Sequence, residues 1–486
     1  MTTRSAASAG VIASGKRDGD VAPLRVEITS FGAWMVGVGA IIGSMAWLMH
    51  GPMLARAGTL ACVAAWIVAA IATLPLALIL MELSSMFPQA GGPYIYKYYA
   101  LKRLVPGKGE LLGFLTGWLF WVSIMTGLAC MANGLVNLAA SIAYGGSAAA
   151  PLWFGPLIIV VLFGVTTALN QVRIGRASLI NNFFTFMKFA MALAFAALVV
   201  MSGKASPERL MTLASPGGSS DFLANVASVL MLSMAGFSFI EMSGCTSAET
   251  ADARRVVPRA MLLTLATVTA IYVGMCLLVS ASTGFSLSAD GSTLVVTGTK
   301  IQATCPEVAG FIAGPIWGGI FTAGVIASIV GCSFVALLGM TRVSYSMAGT
   351  RLFPERFARL DDSGVPSYAL WFQFATLCLI AIGANLACRT GLFADAYIFL
   401  GETFGFMYAF VAMLYGVCVV SLRYTDPGME RTFRVGRQGN LAVWLAASVT
   451  VLVWGFTAFF CVHWTHQLTG LVLLLAGMPI YHHYRS

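Results

Sequence analysis

The chain has 486 residues, of which 58% are hydrophobic and 10% charged. An ordinary soluble domain carries about a quarter charged residues, so a soluble globular fold is excluded. The net charge of +9 would suit a polyanionic partner, but the placement of the basic residues assigns it another cause.

Residues 1–25 are small, polar and basic, without the apolar core of a signal peptide. They are expected to form a disordered cytoplasmic tail. Beyond them the apolar residues come in blocks of about twenty, the length at which a helix crosses the hydrocarbon layer. About twelve spans are predicted, near residues 29–51, 59–83, 111–140, 152–170, 179–201, 223–247, 260–282, 310–340, 367–386, 397–421, 441–462 and 468–484. The class is therefore an all-α polytopic membrane protein.

When the connections are numbered alternately, 22 of the 28 basic residues fall on one side. The other side holds Arg56, Lys204, Arg209, Lys300 and Arg389, and Lys188 lies inside a span. Basic loops stay cytoplasmic during insertion, so both termini are expected in the cytoplasm and the chain in the cell membrane. The positive balance thus reports topology, and no nucleic-acid partner is implied.

Span 1 reads VGVGAIIGSM, with Gly37, Gly39 and Gly43 near mid-membrane. Span 6 reads SMAGFSFIEMSG, with Gly236, Gly244, three serines and Glu241. Glycine weakens a helix, and a freed backbone group in lipid is costly unless a neighbour or a cavity satisfies it. Interrupted helices five spans apart are what an inverted five-plus-five repeat predicts; close packing through small residues would leave the same pattern.

Lys188 stands near the middle of span 5, about 15 Å from either end at ~1.5 Å per residue, too far to snorkel fully. It should face the bundle, either as a coupling group or as an ammonium capping carbonyls of span 1. Glu241 begins the inner half of span 6, as a gating acid or as a carboxylate held by a helix dipole. Glu82 suits an inner gate or a loop salt bridge, and Glu402 a partly solvated acid near the outer end of span 10. Trp118 and Trp121 share a face and suit core packing. Cys305 and Cys388 both fall in outer connections and would pair only if the fold brings their backbones together. The outer connection near 283–309 reads as a lid or a plain surface loop.

No HExxH or GxSxG motif occurs, and the five histidines lie near helix ends or in loops. No catalytic residues are expected. His463 and His466, three apart, are too few to argue for a metal.

Four stretches together resemble the amino acid–polyamine–organocation superfamily: GVGAIIGS (37–44), ELSSMFPQAGGPYIYKYYA (82–100), AETADARRVVPRAM (248–261) and TRVSYSMAGTRLFPERFARLDDSGVPSYA (341–369). The resemblance implies a leucine-transporter-like fold, with a ten-helix inverted-repeat core over 26–425 and two peripheral helices over 426–486. It implies a secondary transporter, not an enzyme, carrying an amino acid or related amine between the unwound middles of helices 1 and 6 by alternating access. A decarboxylation-pair antiporter and a polyamine carrier are the alternatives.

The substrate site then maps to Gly39, Ile42, Gly43, Ser44 and Met45 on helix 1 and to Met234, Ala235, Gly236, Phe237 and Phe239 on helix 6. Free N–H groups would cradle a carboxylate, and helix-end carbonyls an ammonium. Lys188 and Glu241 are the implied coupling or gating residues. A lysine at this point of helix 5 implies proton coupling or exchange; sodium and other cofactors are not expected. The sequence departs from the family pattern at Met45 and Phe239, where glycines are usual, so the pocket should be smaller or differently shaped.

Overall fold

The computed structural model describes residues 24–211, 221–282, 285–287, 294–296, 299–300, 304–436, 439–460 and 462–485. The expected tail over 1–25 thus lies almost wholly outside the described residues.

Span 1 is broken into α1 (Ser30–Ile41), α2 (Met45–Leu48) and α3 (His50–Ala57). Thr29 caps α1 by accepting from the Gly32 N–H at 3.1 Å, and Gly58, at φ 76°, turns the chain after α3. Span 2 is α4 (Thr59–Met86), followed by a short helix, α5 (Gly92–Leu104). Spans 3, 4 and 5 are α6 (Gly109–Tyr144), α7 (Phe154–Leu169) and α8 (Ile174–Met201). Span 6 is broken into α9 (Phe222–Gly236) and α10 (Met242–Cys245), and span 7 is α11 (Ala253–Ser282).

Where a plain loop or lid was expected, the chain forms β1 (Phe285–Leu287), β2 (Leu294–Val296) and β3 (Thr299–Lys300), paired antiparallel in that order. The start of predicted span 8 is instead a separate helix, α12 (Cys305–Ala313), and span 8 is α13 (Pro315–Gly349). The cause is local: Gly314 stops one helix at φ 97°, and Pro315 opens the next at its first position. Spans 9, 10 and 11 are α14 (Ser367–Arg389), α15 (Ala396–Thr425) and α16 (Leu441–Phe460). Span 12 is interrupted, as α17 (Trp464–Leu475) and α18 (Gly477–Arg485).

Among the described residues, eight helices are long and apolar enough to cross a membrane, and α1, α7 and α9 are shorter apolar helices. The packing partners repeat with an offset of five spans. Spans 1 and 7 pack together, as do 6 and 2; spans 3 and 10 pair, as do 8 and 5. Spans 1 and 5 match 6 and 10, and spans 3 and 9 match 8 and 4. This exchange of partners is the mark of two inverted five-helix halves, and it places the two broken helices side by side inside the bundle.

Candidate functional site

The first break is Ile42–Gly43–Ser44. Here α1 ends with carbonyls that have no partner one turn further on, and side chains from three other spans supply donors. Lys188 Nζ on α8 donates to the Gly39 carbonyl at 2.7 Å, and Cys332 Sγ on α13 to Ala40 at 2.8 Å. The Tyr272 hydroxyl on α11 lies 3.2 Å from the Ile41 carbonyl and 3.0 Å from that of Gly236, so it ties both broken helices together. Ser328 Oγ donates to Ile42 at 3.3 Å and accepts from Trp47 Nε1 at 2.8 Å. The N–H groups at the start of the outer half, at Ser44 and Met45, belong to a first helical turn and have no intrahelical acceptor.

The second break runs from Phe237 to Glu241, and local turns satisfy much of its backbone. The N–H groups of Phe237 and Ser238 bond back to Met234 and Ala235, and that of Met242 bonds to Phe239, at 3.0–3.1 Å. Phe239 sits at φ 74°. The left-handed backbone that a glycine would adopt freely is kept although the glycine is replaced, at a cost of roughly 1–2 kcal/mol.

Between the breaks lies a cavity of about 30 Å³, room for about one or two waters. Ala40, Ile41, Gly43, Ser44 and Met45 line it from span 1, and Ala235, Gly236 and Phe239 from span 6. The opposite walls are Gly127, Cys130 and Met131 of α6, Tyr272, Cys332 and Phe404. The lining carries no charged side chain and is rich in sulfur, with Met45, Cys130, Met131 and Cys332. An added Cβ at Gly43 would come within 2.5 Å of Met131 Sδ and 3.0 Å of Cys332 Sγ, so glycine is what keeps this approach open.

Of the ten residues expected around a substrate, six line the cavity: Gly43, Ser44, Met45, Ala235, Gly236 and Phe239. The other four are placed behind it. Gly39 packs so closely on Asn181 and Thr185 of α8 that a Cβ there would meet them at 2.3 and 2.7 Å. The Ile42 carbonyl is engaged by Ser328, and Met234 Sδ accepts from Thr457. Phe237 turns away, edge-on to Trp66 and Tyr272. The walls from spans 3, 7, 8 and 10 were not anticipated, since nothing in their local sequence sets Cys130 or Phe404 apart from core packing.

Lys188 is fully buried beside α1, as both of its readings required. Glu241, also fully buried, stands at the start of α10, and its Oε2 accepts from the Tyr408 hydroxyl of α15 at 2.6 Å. Two buried ion pairs join helices at the end of the bundle expected to be cytoplasmic. Glu82 holds Arg423 through two bonds of 2.6 Å, and Arg342 holds Glu249 through bonds of 2.9 and 2.8 Å. Glu82 therefore joins span 2 to span 10, in a salt bridge between two helices where an inner gate or a loop salt bridge was expected.

Glu402 is partly exposed, as expected, and His466 Nε2 lies 3.0 Å from it. Among the described residues no group of three metal-binding side chains occurs. Cys305 and Cys388 are both free, and Trp118 and Trp121 stack at 5.5 Å.

A protein-family model for amino acid permeases matches residues 28–470. The chain is 23% identical to a methylthioribose transporter of Bacillus subtilis (strain 168) over 85% of this chain and 84% of that one. It is 26% identical to the serine/threonine exchanger SteT of the same organism, over 94% and 97% of the two chains. Among solved structures, MhsT in complex with L-phenylalanine superposes with a TM-score of 0.60 at 14% identity, covering 90% of this chain and all of that one. At that identity the likeness fixes the fold, the leucine-transporter type.

Proposed function

This chain belongs to the amino acid permease family, a multi-pass membrane transporter rather than an enzyme, and on that premise we propose that it carries a small neutral amino acid through the gap between its two broken helices. The observation that carries this reading is the uncharged cavity flanked by the N–H groups of Ser44 and Met45 and by the carbonyl ends of α1 and α9. A zwitterion needs a donor set for its carboxylate and an acceptor set for its ammonium, and helix ends supply both without a net charge. The Gly236 and Ile42 carbonyls, which accept from Tyr272 and Ser328, each keep a second lone pair for the substrate.

The side chain of the substrate faces Met131, Phe239, Phe404 and the two cysteine thiols. That wall favours an apolar or weakly polar group. A glutamate or a polyamine would bring a charge that no lining residue balances, which counts against the antiporter and polyamine alternatives.

Cycling is by alternating access in the cell membrane with both termini cytoplasmic, in line with the basic loops. Coupling to protons, or exchange without an ion, is favoured over sodium because Lys188 Nζ already fills the place beside the Gly39 carbonyl with a cation. The test is a thermal-shift panel of amino acids and amines on purified protein, followed by uptake of each hit into proteoliposomes. Small neutral amino acids are expected to stabilise the protein and to be taken up saturably; stabilisation by polyamines or dicarboxylates alone would overturn the reading.

A further inference from the structure

Lys97, on helix α5, is one of the 22 basic residues that the sequence places in the connections of one side, yet it is fully buried. Its ammonium lies 4.8 Å from the centre of the Phe120 ring of α6 and 4.4 Å from that of Tyr415 of α15. It has no hydrogen-bond partner among the described residues. Rings attract a cation but do not replace the hydrogen bonds of water, so burial drives this ammonium toward losing its proton.

Glu241 is the matching case. Tyr408 occupies its Oε2, while Oε1 is buried and unpartnered among the described residues. Tyr408 and Tyr415 are seven residues apart on α15 and so share a face, which sets Lys97 about two turns from Glu241 along one wall. The two charges lie within electrostatic reach of each other without forming a direct ion pair. The other titratable groups around them are Tyr96, Cys245 and Cys418, with Arg342 acting on Cys245 from α13. Tyrosines and thiols are neutral near pH 7, and Arg342 is committed to Glu249. The local balance is therefore one cation and one anion.

We propose that Lys97 is the built-in counter-cation of Glu241, so that the cytoplasmic half of the substrate path closes without Glu241 drawing a proton from solution. The inference rests on the reading of the chain as a neutral amino acid transporter, and it separates two roles. Glu241 becomes a gating acid balanced within the protein, and Lys188 is left as the group able to exchange a proton with solution.

The test is uptake of the best-transported amino acid into proteoliposomes as a function of pH, expressed as the ratio of variant to parent. Lys97→Met leaves Glu241 unbalanced, so closing needs a proton from water, and the ratio should fall by up to tenfold per pH unit toward alkali. Glu241→Gln leaves Lys97 unbalanced, and its ratio should change in the opposite direction, rising toward alkali. The double variant and Lys97→Arg should both give flat ratios. A flat ratio in both single variants, or slopes of the same sign, overturns the proposal, since a merely structural lysine would lower uptake equally at every pH. If Lys97→Met does not fold, the sign of the Glu241→Gln slope decides by itself. Absence of uptake in the parent would instead count against the transport reading.

Discussion

The two breaks face each other across one cavity, but they are held in different ways. The break in span 1 is held from outside, by Lys188, Cys332, Tyr272 and Ser328, which arrive from spans 5, 7 and 8. The backbone of the break in span 6 is held mostly from within, by turn hydrogen bonds between neighbouring residues and with a phenylalanine at φ 74°, and ties from Tyr272 and Tyr408 reach only its two ends. A segment tied to several spans has to move with them, whereas one that satisfies much of its own backbone is freer to change shape. On this comparison span 1 supplies the fixed half of the site and span 6 the half that adjusts around the substrate.

The largest expected effect comes from crowding the fixed half. Gly43→Leu would drive a side chain into Met131 and Cys332. Binding should weaken by about a hundredfold, the equivalent of roughly 3 kcal/mol of overpacking, while membrane insertion is unchanged. Retained substrate-induced thermal stabilisation in this variant would break the comparison at its first term.

Next comes removal of an external tie. Lys188→Ala leaves the Gly39 carbonyl without its donor, a loss of about 1–3 kcal/mol, so uptake should fall by about tenfold or more. Its pH profile should flatten relative to the parent, and equal profiles would leave Lys188 as a structural cap.

A smaller effect is expected at the adjusting half. Phe239→Gly removes the left-handed strain and widens the cavity beside Phe404. The preference for bulkier over smaller neutral amino acids should rise by about tenfold, the scale of a change of one or two methylenes in an apolar pocket. An unaltered size preference would remove Phe239 from the wall of the site. The smallest expected effect is that of replacing sodium with another monovalent cation, which should leave uptake unchanged; a steep sodium dependence would mean that Lys188 does not stand in for a bound ion.

Much of this arrangement is legible in the sequence because lipid enforces it. Apolar blocks give the spans, and Gly39, Gly43 and Gly236 announce close approach or unwinding where a helix would otherwise run on. Lys188 is legible for the same reason, since a mid-membrane ammonium has to reach an acceptor. What is not legible is convergence between distant segments. Cys332 and Tyr272 look like core residues until α1 ends beside them, and Lys97 counts with the basic residues of the connections until α5 folds under Phe120 and Tyr415. The expected wall residues Met234 and Phe237 belong to the right segment but face Thr457 and Trp66, because the register of an unwound stretch is set by its tertiary neighbours and not by helical periodicity.

The central claim is that a small neutral amino acid is gripped by the bare helix ends around Gly43. Its most direct test is equilibrium binding of that amino acid to purified protein, parent against Gly43→Leu, with folding checked by thermal melting. Saturable binding is expected for the parent, and binding about a hundredfold weaker for a variant that is still folded. Equal affinity in the two proteins would place the substrate elsewhere.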